Sequence, residues 1–194
     1  MYGLLPGEAA AKLALGFCAE ARGDTAEAVR YFEMVWRTDR SHVGAAFGLA
    51  RARMAQGDRD AAVNALVSVP ATSSLYADAQ VAAIAARLRG RPPSDLSLEE
   101  LQEAGARLEA LQLPEARRER LAALILETAL GRMTAGSNGH RPRQDGLLGV
   151  PLTERGLRFG LAQTYRRLAR LSSGPRERVA LMDRANAVRP RTLI

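Results

Sequence analysis

The chain has 194 residues, 47% of them hydrophobic, which is enough for one large or two small packed domains. Aromatics supply only 5%, so Ala and Leu must do most of the packing. No run nears 18 uninterrupted apolar residues, so no membrane span is expected. The single cysteine, Cys18, has no partner for an internal disulfide and suits a cytoplasmic setting. The net charge of +7 admits an anionic partner, but Lys12 is the only lysine and the arginines scatter among acids. No basic stripe interleaved with aromatics is present, so nucleic acid is not expected as a partner. Residues 1–7 lack a basic region followed by an apolar stretch, so no signal peptide is expected. The abrupt start at Tyr2-Gly3 reads as the cut edge of a longer chain.

In chain order, the spacing predicts helices over 8–22, 25–38, 43–56, 59–69 and 75–89. Two turns within this stretch repeat. Gly23-Asp24 and Gly57-Asp58 lie 34 residues apart. Gly closes one helix in a conformation that penalises a Cβ, and Asp caps the next. Glu27, three residues after Asp24, makes a capping-box-like pair. Ala28 or Ala62 allows close helix approach, and Phe32 or Leu66 fills the space between helices. A period of 34 is that of the tetratricopeptide (TPR) repeat, with Leu15-Gly16 where such repeats carry a Leu-Gly pair. Residues 9–42 and 43–76 form two copies, and 77 onward begins a third.

Pro92-Pro93 then breaks the period. Ser97-Leu98-Glu99-Glu100 is a capping box that opens a helix to about 110, and Pro114 opens another to about 131. Residues 134–149, rich in Gly and Pro, read as a mobile surface loop. Helices resume at 152–171 and 175–188, and strands are not expected. The expectation is an all-α TPR-type solenoid of about nine helices in one domain, clearer over 1–96 and degenerate over 97–194.

No motif supports catalysis. Gly-x-Ser-x-Gly, His-Glu-x-x-His, His-Arg-Asp and Asp-Phe-Gly are all absent. Gly136-Ser137-Asn138-Gly139 lacks the Lys-Ser/Thr of a phosphate loop. His42 and His140 lack ligand spacing, so neither metal nor cofactor is expected. Cys18 reads as structural filler. Gly156 and Gly160, four apart, read as a close helix–helix contact.

The inner face of a TPR array comes from positions 2, 5, 9 and 12 of each first helix. In the first copy these are Ala10, Leu13, Phe17 and Glu20; in the second, Gly44, Phe47, Arg51 and Met54; in the third, Asp78, Val81, Ala85 and Leu88. The candidate protein-binding groove is therefore Leu13, Phe17, Glu20, Phe47, Arg51 and Met54, with Arg51, Glu20 and Asp78 as isolated charges. TPR domains that grip chaperone C-termini place Lys, Asn and Arg here as a carboxylate clamp, and the asparagines are missing. Phe17 and Phe47 either pack against neighbouring helices or stand exposed to a partner.

Three stretches are more specific than a generic repeat. Residues 31–58 with 68–83, residues 146–171 and the ending 184–194 resemble the C-terminal TPR region of the actinobacterial serine/threonine protein kinase G family. The resemblance implies a non-catalytic accessory domain of a cytoplasmic kinase. In that family the region serves dimerisation, kinase stability and recruitment of a protein substrate, a forkhead-associated (FHA) metabolic regulator. A free-standing TPR adaptor unrelated to a kinase is the alternative.

Overall fold

The computed structural model describes residues 8–135 and 146–190. The chain forms two compact units, 1–87 and 88–194. Nine α-helices and one two-stranded hairpin are present among the described residues, an all-α TPR-type fold.

The first unit is built from helices α1 (Ala9–Ala21), α2 (Thr25–Thr38), α3 (Val43–Ala55), α4 (Arg59–Val67) and α5 (Tyr76–Leu88), the last crossing its boundary. Its two Gly-Asp turns have the same geometry. Gly23 and Gly57 sit at φ +79° and +80°. Gly23 donates to the Glu20 carbonyl and Asp24 to the Ala19 carbonyl; Gly57 donates to Met54 and Asp58 to Arg53. This double closure satisfies carbonyls that the end of a helix leaves without partners. Asp24 then accepts from the Glu27 amide at 2.9 Å, and Asp58 from the Ala61 amide at 3.1 Å. The capping-box pair expected at Glu27 is not made: its carboxylate meets Arg22 at 2.7 Å and Arg30 at 3.4 Å.

Phe32 is the centre of this unit's core and is fully buried. Its ring lies between Gly16 of α1 and Gly48 of α3. A Cβ at Gly16 would stand 2.8 Å from that ring, and one at Gly48 2.6 Å. The Leu-Gly position of the repeat therefore has a steric cause, since the ring occupies the space that a side chain would need. Trp36, also buried, donates through Nε1 to Ser68 Oγ at 3.0 Å, with Arg40 stacked 4.6 Å above its ring.

The second unit holds α6 (Leu98–Glu109), α7 (Glu115–Ala135), β1 (Gly146–Leu147), β2 (Val150–Pro151), α8 (Glu154–Leu171) and α9 (Pro175–Val188). The capping box at Ser97 is complete: Glu100 N donates to Ser97 Oγ at 3.1 Å, and Ser97 N donates to Glu100 Oε2 at 2.8 Å.

Two expectations change here. Thr134 and Ala135 belong to α7, while 146–151 form an antiparallel hairpin pairing Leu147 with Val150; residues 136–145, including the Gly136–Gly139 segment and His140, lie outside the described residues. Leu148 and Gly149 both have positive φ, the turn whose twist suits a two-residue hairpin loop. A strand of two residues has too few alternating positions to leave a pattern in the sequence. Secondly, Gly156 and Gly160 seat this hairpin, not another helix. A Cβ at Gly160 would lie 2.6 Å from Val150, and one at Gly156 2.5 Å from the Pro151 carbonyl. The hairpin's Leu147 is buried, and a Cβ at Gly105 of α6 would meet it at 2.9 Å.

Candidate functional site

The six groove residues all lie on α1 and α3, the first helices of the two repeats. They divide into two kinds. Leu13, Phe47 and Met54 are partly buried and pack against the core around Phe32. Phe17 is 46% exposed, although one edge of its ring meets Phe32 at 5.1 Å and 71°. Packing is thus the first role of Phe47, whereas Phe17 presents a free aromatic face.

Arg51 and Glu20 are not isolated charges. Arg51 Nε donates to Glu20 Oε1 at 2.6 Å and Nη2 to Oε2 at 2.8 Å, a two-pronged bridge from α3 to α1. The guanidinium also lies 6.0 Å from the Phe17 ring centre. The hydrogen bond from Arg51 holds the Glu20 carboxyl below the usual carboxylate range, and Glu20 raises Arg51 in turn. Asp78, on α5, is partly buried.

The sequence placed Glu20 and Arg51 on one face but did not show that they pair. A signal was available. They are inner-face positions of successive first helices with opposite charge, and those helices are neighbours in a TPR stack. The pair has a chemical consequence: an incoming carboxylate must displace Glu20 to reach the two guanidinium nitrogens already engaged. What remains open to a partner is an aromatic face beside a pre-oriented arginine, residue types that often dominate interface energies.

Cys18 is exposed on α1 and is not core filler. His42 stands before α3 with Nε2 3.6 Å from Asp39. Among the described residues, no cluster of His, Cys, Asp and Glu could hold a metal ion, and no helix is long and apolar enough to cross a membrane.

Comparison with known proteins agrees with this architecture. The family model described as "Protein kinase G tetratricopeptide repeat" matches residues 1–192. The serine/threonine-protein kinase PknG of Mycolicibacterium smegmatis is 41% identical over 189 residues, covering 96% of this chain and 24% of that protein. The PknG of Mycobacterium leprae is 37% identical over 185 residues, covering 95% of this chain and 24% of its own length. The chain spans about a quarter of these kinases. With Gly-Asp turns 34 residues apart, paired helices and a model match over nearly its full length, the chain belongs to the protein kinase G tetratricopeptide repeat family.

Proposed function

We propose that this chain is the non-catalytic interaction region of a PknG-like serine/threonine kinase, acting in the cytoplasm. In this reading its two units serve as one accessory domain that recruits a protein substrate of the FHA type, stabilises the kinase and supports a homodimer. The observation that carries the docking role is the exposed Phe17 ring flanked by Arg51, itself held by Glu20, on the inner face of α1 and α3.

The test is a double variant, Phe17→Ala with Arg51→Ala, titrated against the FHA-domain protein. The expected loss is about 2 kcal/mol of binding, the scale of an interface hot spot. Phe17 is the better probe than Phe47, because Phe47 packs against the core and its loss would disturb folding. Unchanged binding in a folded double variant overturns this docking site.

Self-association is supported by Val179 and Met182, which stand 60% and 38% exposed on α9, the last described helix. Exposed apolar side chains of this kind on one helix form a face that a second copy can cover. Light scattering over a dilution series should show a dimer, and Val179→Glu should shift it to monomer. The terminal residues Leu4, Leu5, Leu193 and Ile194 lie outside the described residues.

A further inference from the structure

The second unit has a cleft that the docking role above does not use. Helix α8 packs against both α7 and α9, and the cleft opens among the three with a volume of about 320 Å³. That is the lower range for a site that encloses a small ligand or a few peptide side chains. Leu124 of α7, Leu168 of α8 and Leu181 of α9 give it apolar walls, and the buried Tyr165 adds an aromatic surface.

Charge is concentrated at the rim. Arg120 and Arg184 line it together with Glu127 and Glu177. The internal pairing is incomplete. Glu177 is committed to Ser172, whose hydroxyl donates to Oε2 at 2.6 Å. Its other oxygen meets Arg120 only loosely, at 3.5 Å, in an exposed contact of little energetic weight. Arg184 stands 6.0 Å from the Tyr165 ring centre, and among the described residues no carboxylate lies within ion-pair distance of it. The Glu127 carboxyl is crowded by the cleft walls, which push it up against the opposing pull of Arg184. Glu127 is thus close enough to feel that guanidinium without closing a bridge to it.

We propose that this cleft is a docking site for an acidic segment of a partner protein, one that carries a leucine-sized side chain between two carboxylates. The apolar walls take the aliphatic side chain. Arg184 on α9 and Arg120 on α7 take the carboxylates on either side, each gaining a charge-assisted hydrogen bond that the free protein lacks or makes poorly. A small free dicarboxylate would leave the leucine walls unused, which favours a peptide as the occupant. The site lies wholly in the second unit and is independent of the Phe17 groove.

The experiment uses a fluorescein-labelled, C-terminally amidated peptide of sequence Gly-Glu-Leu-Glu-Gly, followed by anisotropy at physiological salt with the 194-residue chain. Saturable binding is expected. It should weaken about tenfold in Arg184→Ala, and by a similar factor when Gln replaces both Glu of the peptide or Ala replaces its Leu. Arg120→Ala, at a side chain 66% exposed, reads the same rim without risk to the fold. Because the chain is basic overall, diffuse attraction of any acidic peptide is the competing explanation. Arg37→Ala, on α2 of the first unit with its side chain 75% exposed, distinguishes them and should leave the affinity unchanged. Two results overturn the proposal: no saturable binding up to about 1 mM, or an equal loss in Arg37→Ala and Arg184→Ala.

Discussion

The two units of this chain solve the same packing problem with different devices. In the first, one turn is used twice: a left-handed Gly, two backbone closures and an Asp cap, repeated 34 residues later with nearly the same φ. Among the described residues of the second, no turn is repeated. Its helices begin with a Ser97 capping box, a Thr153 cap and a Pro175 start, and a two-residue-stranded hairpin is wedged onto glycines of α6 and α8. Both units rely on glycine to bring elements close. In the first the glycines admit the Phe32 ring, and in the second they admit a strand. The lesson is that a repeat is recognisable when its punctuation is local and recurs, and loses its signature when close approach replaces a recurring turn.

The sharpest test compares the packing glycines. Gly48→Ala forces a methyl onto the buried Phe32 ring, which is hemmed in by Gly16 on its other side. Overpacking of this kind costs about 1–3 kcal/mol. Gly160→Ala pushes against Val150, a half-buried side chain on a short hairpin that can retreat. Urea unfolding should place Gly48→Ala at the upper end of that range and Gly160→Ala at the lower. The reverse order would mean that the hairpin, and not the aromatic ring, is the more rigid partner.

The turn glycines come next. Gly23→Ala and Gly57→Ala each put a Cβ into the left-handed region at a site with open space around it, so the backbone alone sets the cost. Each should lose about 1–2 kcal/mol. Equal losses by thermal unfolding would sharpen the equivalence of the two repeats, whereas a clear inequality would break it.

The smallest effect is electrostatic. Glu20 is held below its ordinary pKa by Arg51, so the folded state binds this proton less readily than the unfolded chain. The pair's contribution is therefore present above about pH 4.5 and is lost as pH falls through the lower folded value. Both side chains are partly solvent-exposed, which limits the contribution to below about 1 kcal/mol and makes it salt-sensitive. Arg51→Ala should show a smaller fall in melting temperature between neutral and acid pH than the unaltered chain. Identical acid profiles would mean that solvent screens the bridge completely.

The helices were legible because their signals are consecutive. Gly-Asp at a turn, Ser-x-x-Glu at a cap and Pro at a first position act within a few residues, and α2 and α9 begin where those signals fall. The period carried the fold class in the same way. The candidate site was legible only as a face. Spacing put Leu13, Phe17, Glu20, Phe47, Arg51 and Met54 together, but not which of them reach solvent or pair with one another.

Those outcomes were settled by tertiary structure. Phe17 stays exposed while Phe47 turns inward because the neighbouring helices cover one and not the other. Arg51 reaches Glu20 because α1 and α3 lie side by side, across a separation of 31 residues that no local signal spans. Gly156 and Gly160 meet a hairpin because β2, which leads directly into α8, lies back over the first turns of that helix. The sequence by itself determined where most helices start and where the first two hairpins repeat, since hydrogen bonds between near neighbours decide that. Exposure, charge pairing and close approach depend on distances between helices, and only the packed fold sets those distances.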